Sequence, residues 1–150
     1  GDMPPRINMI RVGEGILLAR DMEDFYHYDV SDLYHDVFRL KAEVIEIKDK
    51  PSHPVGTIGV DAFGHMPRYV DRGMRRRALL AMGKVDYGDP AELLPIEKGI
   101  EILGASSDHT IVDIQDAERD YKIGDIMEFD VNYSTIIYLT NCRGVHIAYV

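Results

Sequence analysis

An arginine followed by two glycines forms the first group of residues in this chain that can do chemistry. The run Asn8–Leu18 places Arg11 directly after a short apolar stretch and then contains Gly13 and Gly15. Glycine has no Cβ and takes positive φ readily, so backbone N–H groups at these positions can approach an anion closely. If a helix begins within Ile16–Ala19, its N-terminus adds further N–H donors for a phosphate. The same run also fits a strand, a glycine turn and an arginine at the surface.

The elements that must position these residues are mainly β-strands separated by turns. In Val37–Lys48 apolar and charged side chains alternate, which is typical of a half-buried strand, and the adjacent pair Val44 and Ile45 indicates a bulge. Ser134–Thr140 fits a helix or a strand, and we favour a short helix. Further strands are predicted at Ile7–Ile10, Val55–Val60, Arg76–Met82, Gly99–Leu103, Thr110–Ile114, Ile126–Val131 and Val145–Val150. Many short strands with regular turns indicate a mainly β fold, an antiparallel barrel or sandwich.

Composition and charge exclude several classes of protein. With 150 residues, 45% of them hydrophobic, the chain is large enough to form a core of its own. The formal net charge of −9 argues against binding to nucleic acid or to anionic membranes. The only cysteine, Cys142, excludes an internal disulfide and fits a reducing compartment. The histidines do not have the spacing of a metal site, and no membrane span or signal peptide is visible, so we expect a cytoplasmic protein without a bound metal.

The run that contains Arg11 resembles the last barrel strand of the alanine racemase-like (fold type III) enzymes, which depend on pyridoxal 5'-phosphate. Asn8–Met9, Arg11 and Gly13 match a family motif of the form N-M-x-R-x-G. The resemblance implies that Arg11 faces the pyridine nitrogen of the cofactor and that the backbone amides of Gly13 and Glu14 bind its phosphate. A guanidinium group stays protonated and leaves the pyridine nitrogen without a proton, which weakens the electron sink and favours racemisation over side reactions.

Two later segments extend the resemblance over nearly the whole chain. Gly59–Arg68 lies where the family has a G-Y-A-D-G-type segment, and Gly104–Asp113 lies where it has G-x-x-S-M-D-x-x-x-V-D. Within the family, the sequence is most similar to the ornithine racemase group. The resemblance implies that residues 1–20 are the last strand and helix start of an α/β barrel whose remainder lies upstream. It implies that residues 21–150 are the C-terminal β-domain, an antiparallel β-barrel or sandwich with a short helix.

The resemblance also implies catalytic residues, with one departure from the family pattern. In the family, a lysine that binds the cofactor serves one face of the substrate's α-carbon, and the segment with that lysine is not among these 150 residues. A tyrosine from the neighbouring subunit serves the other face, and Asp61 stands in its place here. The second base therefore stays open between Asp61, the nearby His65 and a residue outside the chain.

A carboxylate in that place suits the distal ammonium group of ornithine, because a buried cation needs an anionic partner. Asp61 or Asp108 would be that partner, and Ser107 would hydrogen-bond the substrate or the cofactor. The alternative for Ser107 and Asp108 is a turn whose side chains bond nearby backbone N–H groups. Both interpretations of these two residues stay open at the level of sequence.

Two hypotheses about function follow. In the first, the chain is the C-terminal domain of a pyridoxal-phosphate-dependent racemase for ornithine or a similar basic amino acid. It would join an N-terminal α/β barrel portion and complete the active site of the partner subunit in a homodimer, and it would be inactive alone. In the second, the chain is a free-standing, non-catalytic β-barrel module for binding or assembly. Exposed apolar residues in the opening run would favour the first hypothesis, because such residues need a surface to cover them.

Overall fold

The computed structural model describes residues 3–60, 64, 66 and 68–150. Asp61 and His65, both candidates for a role in catalysis, lie outside the described residues. The chain divides into two compact units between Arg39 and Leu40. In the described part of the chain, no helix has the length and apolar character needed to cross a membrane.

The first unit contains a 3₁₀ turn at Glu14–Ile16 and helix α1 at Ala19–Tyr26. Helix α1 ends at His27, whose φ of 55° is left-handed and whose N–H caps the last turn of the helix. Residues 7–10, for which the sequence predicts a strand, pair with no strand among the described residues. The physical reason is that a strand exists only where a neighbouring backbone supplies hydrogen-bond partners. Met9 is accordingly 74% exposed.

The second unit is an antiparallel β-structure. Its strands are β1 Leu40–Pro51, β2 Met74–Leu80, β3 Leu94–Pro95, β4 Glu101–Ala105, β5 Thr110–Asp113 and β6 Ile126–Asp130. Within the described residues they form one six-stranded sheet in the order β3–β6–β1–β2–β5–β4, with every pairing antiparallel. The sheet curls into a nearly closed barrel. The predicted fold class, a mainly β antiparallel barrel or sandwich, is confirmed, and of the two forms the structure has the barrel.

Strand β1 shows how the sequence produces this sheet. Its inward residues Leu40, Ala42 and Val44 are buried, and the residues between them are exposed, so the predicted alternation is confirmed. The register of β1 against β2 shifts between Val44 and Glu46, which confirms the predicted bulge. β1 therefore contributes to the core along one face and bends where the bulge lies.

Two helices accompany the sheet, α2 at Lys84–Tyr87 and α3 at Tyr133–Asn141, and they contact each other. Helix α3 confirms the predicted helix. Asn132 caps it, because its side chain accepts a hydrogen bond from the N–H of Thr135 at 3.0 Å. The most deeply buried apolar side chains of the core are Val44, Leu80, Tyr87, Val112, Met127 and Phe129.

Besides residues 7–10, two further predicted strands are wrong. Val55–Val60 forms none with the described residues, because β1 already has β6 on one side and β2 on the other. Val145–Val150 also pairs with no described strand, and Tyr149 is 94% exposed. Both segments have the composition of a strand, but neither pairs with a strand among the described residues, and composition alone does not form a strand.

Candidate functional site

The residues with predicted cofactor contacts lie in the first unit, beside the 3₁₀ turn. Arg11 is exposed, Gly13 directly precedes the turn, and the N–H of Leu17 donates to the carbonyl of Glu14 at 2.8 Å. Apart from Gly13 and its two neighbours in the chain, no heavy atom of the described residues lies within 4 Å of the place that a Cβ on Gly13 would occupy. The open space at Gly13, directly before a helical turn, leaves room for an anionic group such as a phosphate. Arg11, Gly13 and Glu14 therefore lie together in one short segment.

Ser107 and Asp108 lie in the 106–109 turn, the residues Ser106–His109 that connect β4 to β5. Ser106 closes this turn, because its N–H donates to the carbonyl of His109 at 2.9 Å and its Oγ accepts from the N–H of His109 at 3.1 Å. The hydroxyl of Ser107 donates to the carboxylate of Asp108, and both side chains are exposed. The structure thus brings a hydroxyl and a carboxylate together on the outside of a tight turn.

Helix α2 contacts the backbone of this turn. The N–H groups of Lys84 and Val85 donate to the carbonyls of Ser106 and Ser107 at 3.0 and 3.1 Å. Gly83, buried in front of the helix, lies so close that a Cβ on it would be 2.2 Å from the carbonyl oxygen of Ser107. Such a close approach of two backbones requires glycine.

A buried chain of hydrogen bonds fixes the first residue of β5. Thr110 is fully buried, and its Oγ1 donates to the carbonyl of Met82 at 2.8 Å and lies 2.6 Å from the hydroxyl of Tyr87. Because the single hydroxyl proton of Thr110 goes to Met82, the phenol of Tyr87 is the donor to Thr110, and burial raises the pKa of Tyr87. The start of β5 and helix α2 therefore share one buried support.

An ion pair holds the other end of β5. Asp113 is 1% exposed and accepts hydrogen bonds from two N–H groups of the Arg75 guanidinium, at 2.8 and 3.0 Å. Burial alone would raise the pKa of Asp113, but the hydrogen bonds from Arg75 and from the N–H of Gln115 outweigh it and lower the pKa. Arg75 also donates to Asp116, and these two carboxylates raise the pKa of its guanidinium. The pair supports the strand that leads away from the turn.

The 52–73 loop, which joins β1 to β2, contains Asp61. The base of the loop is held by the N–H of Ser52, which donates to the carbonyl of Gly73 at 2.8 Å, and by the Ser52 hydroxyl, 3.3 Å from Asp71 Oδ1. The described apolar residues of the loop include Val55, which is 94% exposed. The loop is thus anchored at its base and presents apolar side chains outward.

A cluster of polar side chains lines a cavity of about 230 Å³ elsewhere on the second unit. The hydroxyl of Tyr121 donates to Glu97 at 2.6 Å, and burial together with this bond raises the pKa of Tyr121. The guanidinium of Arg119 lies 5.0 Å from the centre of the Tyr121 ring and 3.0 Å from Asp125. These groups are paired with one another, which indicates structural support. Within the described residues, no three His, Cys, Asp or Glu side chains are arranged to hold a metal ion.

The sequence analysis missed Gly83 and Asp86. The carboxylate of Asp86 accepts the N–H of Gly83 at 2.9 Å, and the N–H of Asp86 donates back to the carbonyl of Gly83 at 2.9 Å. This reciprocal capping pattern is visible in the sequence as a glycine that follows a strand and precedes an aspartate by three positions. The pattern predicts a helix start, although it does not indicate which backbone the helix contacts.

Two curated relatives match most of this chain. Ornithine racemase from Acetoanaerobium sticklandii is 49% identical over 137 residues, which is 91% of this chain and 38% of that protein. Lysine racemase from Thermotoga maritima is 43% identical over 137 residues, again 91% of this chain and 38% of that protein. The chain therefore spans about 38% of the length of the curated relatives that it matches.

The solved structures with similar folds include two alanine racemases. The protein from Acinetobacter baumannii has a TM-score of 0.42 at 17% identity, over 77% of this chain and 31% of that one. The protein from Clostridium difficile 630, in complex with cycloserine, has a TM-score of 0.42 at 21% identity, over 76% of this chain and 32% of that one. No protein-family model matches the chain. On the extent of its identity to the two curated relatives, the chain belongs to the alanine racemase-like (fold type III) family, in the ornithine racemase-like branch, and represents a C-terminal portion of its members.

Proposed function

We propose that this chain is the C-terminal domain of a pyridoxal-phosphate-dependent amino-acid racemase that acts on ornithine or a similar basic amino acid. The observation that carries the proposal is the identity of 49% and 43% to an ornithine and a lysine racemase over 91% of the chain. Both amino acids named for those relatives carry an ammonium group at the end of the side chain. A site for such a substrate needs a carboxylate placed away from the reacting carbon.

The opening segment, Asn8–Leu18, would contact the cofactor. Arg11 would pair with the pyridine nitrogen, and the backbone amides of Gly13 and Glu14 would bind the phosphate. The exposure of Arg11 and the open space at Gly13 support these roles. When bound, pyridoxal phosphate supplies the electron sink that makes the α-proton of an amino acid easier to remove. A guanidinium group is a cationic donor without an acceptor atom, so Arg11 would leave the pyridine nitrogen unprotonated.

The 106–109 turn would contact the substrate. Asp108 presents a carboxylate for the distal ammonium group, and the adjacent hydroxyl of Ser107 offers a hydrogen bond. An exposed carboxylate attracts an ammonium ion only weakly, because water screens both charges. A second protein surface must therefore exclude water from this turn before it can select a basic substrate.

A homodimer with shared active sites would provide that surface. Val55, Val60 and Val70 of the 52–73 loop are 94%, 63% and 76% exposed, and exposed apolar residues of this kind are typical of surfaces that contact another chain. In the proposed dimer, Asp61 would serve the partner's active site as the second base or as the partner of the ammonium group. The lysine that binds the cofactor would come from the N-terminal α/β barrel portion.

A hybrid racemase tests the proposal. In the hybrid, this chain replaces the matching 38% of the ornithine racemase from Acetoanaerobium sticklandii. We expect the hybrid to bind pyridoxal phosphate and to interconvert L- and D-ornithine, as measured by chiral chromatography. This chain alone should be inactive, because it lacks the cofactor lysine. The control is the relative's own C-terminal portion, rejoined at the same junction.

Three results would contradict the proposal. An active control beside a folded, cofactor-loaded but inactive hybrid would refute the racemase function. A stoichiometric adduct of pyridoxal phosphate on this chain alone, found by borohydride reduction and intact-mass analysis, would place the cofactor lysine within these residues. Tight binding of ornithine by this chain alone, measured by calorimetry, would favour the free-standing binding module instead.

A further inference from the structure

We propose that helix α2 positions Ser107 and Asp108 for the substrate and that Gly83 is the residue on which this positioning depends. The proposal rests on the proposed racemase function, and it names the element that sets the preference for a basic substrate. The side chains of Ser107 and Asp108 are exposed, so the position of their carboxylate and hydroxyl is set by the backbone that carries them. That backbone is in contact with the start of α2.

The backbone of the 106–109 turn leaves no room for a side chain at Gly83. Its φ of −143° and ψ of −168° are extended values that any residue adopts. A Cβ at this position, however, would lie 2.2 Å from the carbonyl oxygen of Ser107 and 2.4 Å from the nitrogen of Asp108. Both atoms belong to backbone rather than to a flexible side chain. A larger residue therefore has to displace either the start of α2 or the 106–109 turn.

The start of α2 is the more firmly held of the two. Asp86 accepts a hydrogen bond from the N–H of Gly83 at 2.9 Å and another from the thiol of Cys142, the residue after α3, at 3.2 Å. Tyr87, the last residue of α2, is buried and hydrogen-bonded to Thr110. The 106–109 turn has exposed side chains throughout. A Cβ on Gly83 should therefore push the turn outward and break its two hydrogen bonds with the N–H groups of α2.

Displacement of the turn should affect one part of the substrate more than the other. A shift of about 1 Å is enough to weaken a contact between a carboxylate and an ammonium group. In the proposed site, this contact is made with the distal end of ornithine, away from the carbon that changes configuration. Binding of ornithine should therefore suffer, while the chemical step and the use of alanine, which has no distal ammonium, should change little.

The kinetic test compares Gly83→Ala with Gly144→Ala in the hybrid racemase, with ornithine and alanine as substrates. Gly144 is a matched control, because a Cβ there would meet Asp86 Oδ1 at 3.6 Å and Cys142 Sγ at 3.8 Å, which are ordinary contacts. We expect Gly83→Ala to raise the KM for ornithine about tenfold, with kcat for ornithine and kcat/KM for alanine changed less than about threefold. Gly144→Ala should change none of these constants.

A second readout does not depend on activity. Hydrogen exchange of this chain, followed by mass spectrometry, should show the amides of Lys84 and Val85 exchanging about tenfold faster in Gly83→Ala than in Gly144→Ala. If Gly83→Ala does not fold, Asp86→Ala takes its place. That variant removes the acceptor of the Gly83 N–H without adding atoms beside the turn, and a smaller rise in the KM for ornithine is expected.

The outcomes separate the two proposals. An inactive unmodified hybrid would refute the racemase function, and with it the positioning role. An active hybrid in which Gly83→Ala leaves the KM for ornithine unchanged would overturn the positioning role alone. Gly83→Ala could also lower activity on ornithine and on alanine equally, by the same factor as the fraction of sites that bind the cofactor. That result would overturn the positioning role as well, because it would show a purely structural role for Gly83.

Discussion

The 106–109 turn and the opening segment both carry candidate site residues, yet their surroundings differ. The turn receives hydrogen bonds from α2 and leads into Thr110, which is fully buried. In the opening segment, Met9 and Ile10 are 74% and 64% exposed. The contacts of the second unit thus determine where the turn lies, whereas the described residues leave the apolar side of the opening segment uncovered.

This difference predicts that the two regions respond differently to substitution. Substitutions around the turn should change the stability of this chain, because they remove contacts that the chain itself makes. Substitutions in the opening segment should change activity in the hybrid racemase with little effect on the stability of the chain. Measurements of both quantities on the same variants test the distinction.

Arg11→Ala should give the largest effect on activity. We expect kcat to fall about a hundredfold, which is the usual effect of removing one electrostatic contact that stabilises a transition state. The free energy of unfolding of this chain should change by less than about 0.5 kcal/mol, because Arg11 is exposed. Chiral chromatography and urea unfolding measure the two quantities. A loss of stability comparable to the loss of activity would remove the distinction between the two regions.

Asp113→Asn should show the opposite behaviour. We expect the free energy of unfolding to fall by about 2 kcal/mol, because the amide of Asn carries no negative charge and has only one acceptor oxygen for the two N–H groups of Arg75. Arg75 retains Asp116 as an anionic partner, so its charge is not left alone. Asp120→Asn is the matched control, since Asp120 contacts Arg76 at 3.5 Å with its side chain 77% exposed. Equal effects of the two substitutions would contradict the role of Asp113.

The same carboxylate gives this prediction a pH dependence. Folding lowers the pKa of Asp113 below its ordinary value of 3.8, so its contribution to stability is fully present above that value. The contribution is lost as the pH falls through the lower pKa of the folded state. The difference in stability between the original chain and Asp113→Asn should be constant between about pH 7 and pH 5 and should shrink below about pH 4. A difference that grows on acidification would mean that Asp113 is protonated in the folded chain.

The local pattern of the sequence predicts a strand correctly where buried and exposed residues alternate. It fails where the formation of a strand depends on pairing with a neighbouring strand. Leu40, Ala42 and Val44 indicate β1 because their spacing matches one buried face. Val55–Val60 has a similar composition, but whether it forms a strand depends on which edges of the sheet are occupied. Local pattern carries no information about that occupancy.

The candidate site shows the same limit. The family motifs identify Ser107 and Asp108 because these residues stand in register within one short segment. The contact with Gly83 joins two distant parts of the chain, and it depends on the pairing of β2 with β5. Sequence spacing therefore predicts the residues of the turn but not the element that holds it.

A comparison of Asp61→Asn with Asp108→Asn in the hybrid racemase tests which aspartate binds the distal ammonium group. Asp108 belongs to the 106–109 turn, which is held within this chain, and Asp61 belongs to the 52–73 loop, whose described apolar residues include exposed valines. Replacement of the aspartate that binds the distal ammonium group should lower kcat/KM for ornithine about tenfold more than it lowers kcat/KM for alanine. The other substitution should leave that ratio near its original value. Equal losses on both substrates for Asp61→Asn would point to proton transfer or folding instead of ammonium binding.

The smallest expected effect is the coupling between Tyr87 and Thr110 beneath the turn. Tyr87→Phe should cost about 1 kcal/mol of unfolding free energy, because it removes the hydrogen bond at 2.6 Å. Thr110→Val should cost about 2 kcal/mol, because it leaves the Tyr87 hydroxyl and the Met82 carbonyl buried without a partner. The double variant should cost about 1 kcal/mol less than the sum, since the unpaired hydroxyl is gone. Strictly additive values would show that this buried pair does not act as one support, and the backbone hydrogen bonds from α2 would then account for the fixed position of the turn.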